Sequence, residues 1–398
     1  MIGPDSRLFV VLLGALMMVN VLSIDMILPA LPALGVALDA SPQKVQLTLS
    51  LYLVGYAAGQ IVCGPFSDRF GRRRVLITGL AVYAITTFAC ALAQRIDMLI
   101  AARFVQGIAA CGGPVVVRAI VRDHFSGDRA AHMLSSLTTV FAVGPLLAPI
   151  IGGALLVRYG WPSIFLCITA WTGVLLVIAW HTLAESLKTP DREALRPERI
   201  ARNYRTFFTT RAAVGFACLN GICWLGIFAF LSGSPFVLIE FYGVPADHYG
   251  YYFALAALTL VLGASTNKRL LRRMPGHRIM RLGFMVLILG GAVAVAIPFT
   301  PWSGPFPLTA AVMIYMFGQT LVQPNAVAAA LAPLGHMAGM GSALMGVIQM
   351  LCGALGGYAV NALYDGTPLP MTGMILFAGI ACAVLYHLAL RPGRAAIA

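Results

Sequence analysis

Charge is scarce in this 398-residue chain: 10% of its residues are Asp, Glu, Lys or Arg, and only 14 are acids. Soluble domains carry about 25% charged residues, so the shortage excludes an ordinary water-soluble fold. Metal-ligand patterns are missing as well. The seven histidines form no HxxxH or HExxH spacing and the eight cysteines form no CxxC, so a metal centre has no support. Cys63, Cys90, Cys111, Cys167, Cys218, Cys223, Cys352 and Cys382 all fall in apolar runs. They read as small packing residues and not as disulfides. No cofactor is expected, and no catalytic cluster suggests an enzyme.

Apolar sequence is what the chain has in abundance, with 60% apolar residues and a mean hydropathy of +0.86. A membrane helix needs about 20 mostly apolar residues. Twelve such runs occur, at 7–34, 45–66, 75–93, 98–121, 131–157, 162–183, 212–238, 248–266, 279–299, 304–328, 337–362 and 371–390. Gly and Pro interrupt the fifth, tenth and eleventh, so ten or eleven spans is the competing count. The first run reads as a retained helix and not a signal peptide. Its only basic flank is Arg7, its apolar stretch is long, and no small-x-small cleavage site follows a short core.

The formal charge of +13 raises the possibility of nucleic-acid binding, but its distribution points elsewhere. On the twelve-span map one side collects "DRFGRRR" (68–74), "RAIVRD" (118–123), the segment 184–211, "NKRLLRRMPGHR" (267–278) and the tail "RPGR". The other side holds only Lys44, Arg95 and Arg158. That is the positive-inside bias, and it predicts a bacterial inner-membrane protein with both termini in the cytoplasm. No nucleic-acid partner is expected.

The polar stretch 185–211 divides the runs into two sets of six, predicting an N-terminal bundle over 1–184, a cytoplasmic linker containing an amphipathic helix, and a C-terminal bundle over 212–398. Each set has an arginine-rich loop between its second and third runs. Such an echo suggests a monomeric transporter built from repeats, with its site between them. A channel fits less well.

"GPFSDRFGRRR" (64–74) is the most specific motif. Gly64 would allow a close helix approach, Gly71 a tight turn, and Asp68 and Arg72 a charge-paired latch. It resembles the major facilitator superfamily signature GxLaDrxGrrxxL, matching at Gly64, Asp68, Arg69, Gly71, Arg72 and Arg73, with Phe66 where leucine is usual. In "RFVQGIAACGGPVVVRAIVRD" (103–123), Arg103 lies inside the fourth run, where a permanent cation is costly. This segment resembles the helix-four motif, in which such an arginine is tied to proton movement. Arg122 and Asp123 at its end would reach the Asp68–Arg72 loop. The fifth run, "SSLTTVFAVGPLLAPIIGG" (135–153), spaces Gly144, Pro145, Pro149, Gly152 and Gly153 for close packing. It resembles the antiporter motif, with Ser135 and Ala148 replacing two glycines.

"SIDMILPALP" (23–32) puts Asp25 mid-run, just before Pro29 and Pro32. Pro29 cannot donate to the carbonyl of residue 25, so the helix should bend there and line a cavity. Burial would disfavour the carboxylate and Arg103 would favour it, the balance a proton carrier needs. The alternative is a permanent Asp25–Arg103 ion pair. "RAIVRD", "SGSPFVLIE" (232–240), "GYYFAL" (250–255) and "HMAGMGSAL" (336–344) extend the likeness along the chain, and resemble the Bcr/CflA drug-resistance branch. That resemblance implies twelve helices in two bundles and export of bicyclomycin-type or phenicol-type drugs in exchange for protons. Met17 stands where some relatives carry a second acid, so neutral or zwitterionic substrates are expected. Polar or aromatic residues within spans give the cavity candidates Asn20, Tyr52, Tyr56, Gln106, Asn220, Trp224, Tyr252 and Gln319. The alternative cargo is a natural metabolite such as an amino acid or siderophore; a proton-coupled nutrient importer is a further reading.

Overall fold

Hydrocarbon offers a backbone no partner but itself, so an apolar run closes its hydrogen bonds as a helix. The computed structural model describes residues 6–390, without the side chains of residues 128, 131, 336 and 338; the basic tail 391–394 lies outside them. Among the described residues twelve helices are long and apolar enough to cross a membrane: Arg7–Ala37, Pro42–Phe70, Arg72–Ala91, Ile96–His124, His132–Tyr159, Pro162–Thr182, Arg211–Phe241, Ala246–Leu271, Gly276–Phe299, Pro305–Gly335, Gly339–Ala362 and Leu369–Leu390. The competing count of ten or eleven is set aside. Several helices outrun their apolar stretches. The second continues to Phe70, where Gly71 at φ 97° turns the chain, and Ser41 caps its start by accepting from the Lys44 N–H.

Burial separates two groups of spans, with the second and eleventh (61 and 50% buried) and the fifth and eighth (28 and 39%) placed by their contacts instead. In their most apolar stretches, 67, 67, 78 and 61% of residues are buried in the first, fourth, seventh and tenth spans. The third, sixth, ninth and twelfth bury only 39, 33, 39 and 33%. The former set is therefore central and the latter forms a rim, where Ile85, Val177, Leu289 and Phe377 are exposed as lipid-facing residues should be. The third span packs on the sixth, and the ninth on the twelfth. Between the sets, the second span packs along the eleventh and the fifth along the eighth. These two seams are equivalent when each span is matched to the one six later, which is the geometry of a repeat.

A helix Pro197–Thr209 lies within the linker. Its Phe207 is buried against Ala330, Leu334, Leu344 and Met345 of the tenth and eleventh spans and their junction. Nearby, Arg199 bonds Asp191 and holds that carboxyl below its usual range. The end of the molecule carrying the linker is called the linker face below, and the opposite end the far face.

Close backbone approach fixes the centre of the first set. A Cβ added to Gly107 would lie 2.1 Å from the Tyr52 carbonyl oxygen, and one on Gly55 would lie 2.2 Å from that of Phe104. Gly107→Val should therefore force the second and fourth spans apart, at a cost of about 1–3 kcal/mol. Thermal unfolding in detergent checks this against Gly173→Ala, where nothing lies within 4 Å of the added atom. The valine variant should melt lower and the alanine variant unchanged; equal losses would contradict the packing argument.

Candidate functional site

The first span breaks where its prolines require it. The α-helix Arg7–Asp25 stops, a 3₁₀ turn Leu28–Ala30 follows, and helix resumes at Leu31. Met26 still donates to Leu22; Ile27 returns no such bond to Ser23, which frees that carbonyl. Asp25 sits at the break and is 5% exposed. Behind it the fifth span presses so closely that a Cβ on Gly152 would lie 2.0 Å from the Met26 carbonyl oxygen. Tyr249 of the eighth span lies within electrostatic range of the carboxylate, and its hydroxyl bonds Ser234 at 2.8 Å. Asp25 thus belongs to the junction of first, fifth and eighth spans. Its carboxylate has no hydrogen bond or ion pair among the described residues.

Arg103 does not pair with it. Its guanidinium is buried within the first bundle, donating to Gln106 Oε1 at 2.6 Å and to the freed Ser23 carbonyl at 3.1 Å. It also stacks 4.2 Å from the centre of the Tyr52 ring. The reason is angular. Successive helical residues turn by 100°, so Ser23 and Asp25 project from nearly opposite sides of the first span. Ser23 faces the bundle interior, where its hydroxyl meets Tyr83 and Gln106, and Gln106 donates to Thr87 at 2.7 Å. The reading in which Arg103 tunes Asp25 directly, and the alternative of a fixed pair, are both corrected by this geometry. Nor does Arg103 snorkel, for it is 1% exposed.

The helix-five motif is distributed over both neighbours. The span is interrupted at Ala142, two residues before Gly144 and three before Pro145, and continues through Pro149. Gly144 faces Val21 and Gly152 faces Met26 of the first span, while Gly153 faces Ala246 of the eighth. Ala148 is buried, whereas Ser135 is exposed, so the packing role expected of Ser135 is absent.

At the linker face Arg72 organises the charged turn. It bonds Asp68, Asp123 at 3.1 Å and the Ser67 hydroxyl at 2.7 Å. Glu185, which sequence reading missed, accepts from the Arg72 and Arg73 N–H groups, capping the third span beside Gly71. Ser186 donates to Asp123 and the Asp191 N–H to the Asp68 carbonyl. The network fastens the linker to the first set of helices and does not itself reach across to the second. Two expectations fail here. Gly64 makes no close approach, since nothing lies within 4 Å of an added Cβ. Arg122 stands apart from the network and lies against Gly339 of the eleventh span.

The remaining candidates divide between the two sets. Tyr52 donates to Asn20 at 2.8 Å and Gln106 serves Arg103, so these three complete the interior of the first bundle. Tyr56 is buried beside them. In the second set Asn220 donates to Gln349 at 3.5 Å, leaving Asn220 Oδ1 and Trp224 Nε1 buried without partners. Gln319 is buried and Tyr252 half-buried. Polar residues of the second span went unrecognised in the sequence. Gln46 meets Ser232 at 3.2 Å, Ser50 lies beside Gly357, and Gln60 lies beside Gly346. Their signal was available, because 46, 50 and 60 share one helical face.

Comparison with known proteins follows the same lines. The Major Facilitator Superfamily profile matches residues 13–357. A bicyclomycin resistance protein homolog of Haemophilus influenzae is 31% identical over 97% of this chain and 96% of its own length. The multidrug resistance protein MdtL of Salmonella paratyphi C is 29% identical over 85% and 84%. Among solved structures, a bacterial homologue of the human lysosomal transporter Spinster, inward-facing and occupied, superposes with a TM-score of 0.75. It covers 98% of this chain and 97% of its own at 17% identity, which speaks for the fold alone. With a profile spanning most of the sequence and a relative aligned nearly end to end, the chain belongs to the Major Facilitator Superfamily, and is a transporter and not an enzyme.

Proposed function

We propose that the protein is a proton-coupled exporter carrying small neutral or zwitterionic antibiotics out of the bacterial cytoplasm by alternating access. The observation that carries this reading is Asp25, an acid without an ion pair at a helix break on the seam between the two sets of helices. Two relatives are named for bicyclomycin resistance and multidrug resistance, which supports drugs as the cargo. The clustering of Lys and Arg supports both termini in the cytoplasm.

Burying an ionised carboxylate costs several kcal/mol, so the seam closes most cheaply on neutral Asp25. Opening to the cytoplasm lets the acid lose its proton and admits substrate, whose binding offsets the cost of closing over the ionised carboxylate; once substrate has left, reprotonation from the other side permits the return. One charge crossing the membrane yields about 2.3 kcal/mol per 100 mV, and a pH unit about 1.36 kcal/mol. Together they sustain a gradient of roughly a hundredfold or more for a neutral compound.

Asp25→Asn should abolish accumulation driven by an imposed pH difference in inverted vesicles while preserving counterflow of the same substrate. An asparagine variant that still builds a gradient would remove Asp25 from the coupling step.

Arg72 holds the charged turn and the linker to the first set of helices, and its two acids are unequal. Asp123 has 19% and Asp68 47% side-chain exposure, so Asp123 contributes more. Asp123→Asn should slow export by about tenfold and Asp68→Asn by only a few-fold, with neither changing which substrates are carried. Transport rates of one fixed substrate test the order; a reversed order or an altered substrate range would contradict it.

Charge also sets the cargo. With one acid at the seam, a cation competes with the proton for Asp25, so a phenicol should outpace ethidium. Met17→Glu, two turns before Asp25, should shift preference towards ethidium. Ethidium export by the natural protein at the phenicol rate would refute the argument.

A further inference from the structure

A cavity of about 180 Å³ opens where the fifth and eighth spans meet at the far face. It is too small for a drug-sized ligand, whose pockets run to about 300–1,000 Å³. Its walls carry Arg158, in the last turn of the fifth span, and Asp247, in the first turn of the eighth. These opposite charges line one small space without forming an ion pair with each other or with any described residue. His248 stands at the rim with its ring 6.0 Å from that of Tyr251. Below the charges the lining turns apolar with Ile150, Ala154 and Val157. Val157 and Tyr251 are largely exposed, at 61 and 59%, as residues facing acyl chains would be. The cavity adjoins a close approach of the two spans, where a Cβ on Gly153 would lie 2.6 Å from the Ala246 carbonyl oxygen and one on Gly250 would lie 2.5 Å from the Ile150 nitrogen.

We propose that this cavity is a binding site for a zwitterionic phospholipid with a primary ammonium, of the phosphatidylethanolamine type. The phosphate meets Arg158, the ammonium meets Asp247, and the acyl chains descend over Ile150, Ala154 and Val157. A span end lies at headgroup depth, which is where a charged rim above an apolar wall selects a lipid over a soluble ligand. Asp247 supplies the selectivity, because a primary ammonium donates hydrogen bonds to a carboxylate and a choline headgroup cannot. Seated there, the headgroup bridges the two sets of helices.

The test is lipid retention by the purified full-length protein. It is reconstituted in vesicles of equal parts phosphatidylethanolamine, phosphatidylcholine and phosphatidylglycerol, then released into detergent for native mass spectrometry. The natural protein should keep phosphatidylethanolamine about tenfold over phosphatidylcholine. Asp247→Asn should erase that preference while phosphatidylglycerol retention stays the same, an outcome that misfolding would not imitate. Arg158→Gln should lower retention of all three. Equal retention of the ethanolamine and choline lipids by the natural protein would overturn the proposal, as would an Asp247→Asn variant with its preference intact. Displacement by soluble glycerophosphoethanolamine as readily as by the lipid would overturn the membrane as the source.

Discussion

A helix in hydrocarbon cannot abandon a backbone hydrogen bond unless something replaces it, and the break after Asp25 is where this protein meets that constraint. Pro29 and Pro32 leave the carbonyls of Asp25 and Leu28 without their helical donors; at the break so formed the Ile27 N–H no longer reaches the Ser23 carbonyl, and Arg103 donates to it instead at 3.1 Å. Three residues separate Ser23 from Ile27, and over this stretch the helix presents two different surfaces to two different neighbours. On one side the guanidinium, Gln106, Thr87 and Tyr83 assemble around Ser23. On the other the fifth span closes over Met26 with no side chain between the backbones. Asp25 is held between these two attachments.

A buried arginine without an acid is unusual, and here dipoles and a ring face do the work of a counter-ion. Arg103 has one carbonyl, one amide oxygen and the negative face of Tyr52, an arrangement in which a cation–π contact is worth about 2 kcal/mol when desolvated. Its Nε has no partner. Because these partners are neutral, the acid two residues along is left without a cation. A salt bridge would have fixed Asp25 in its ionised form; the separation leaves its charge open to change. In the proposed transport cycle Arg103 therefore acts on the proton through position, by holding the first span in the broken conformation that carries Asp25.

Much of this was readable from residue types alone. Twelve apolar runs, the linker, the charged turn and the bend at the two prolines all follow from composition and local chemistry, and the helices lie where those runs predict. The Arg103–Asp25 relation was misread because proximity along two adjacent spans was taken without the 100° step that turns Ser23 and Asp25 apart. Glu185 escaped notice because its partners are backbone N–H groups some 110 positions earlier in the chain, and no local pattern announces such a cap. Gly64 was assigned a packing role by its place in a motif, whereas only the neighbouring helix decides whether the missing Cβ is used. The second-span face of Gln46, Ser50 and Gln60 was legible by period but drowned in an otherwise apolar run.

The two sets of helices share a plan, yet their polar chemistry differs. In the first set the turn after the second span is closed by Arg72 with two carboxylates. At the corresponding place in the second set, Asn325 donates to Asn267 at 2.9 Å, an uncharged amide pair. The deep charges Asp25 and Arg103 also belong to the first set, while buried polar groups on the seventh and tenth spans, Asn220 and Gln319, are neutral. A repeat fold permits this division, because packing needs only matching shapes and leaves the polar groups of each half free to differ. In the proposed cycle charge changes on one side of the seam while the other side offers hydrogen bonds that do not titrate. A carrier arranged this way can couple a proton to a neutral cargo without either having to occupy the other's site.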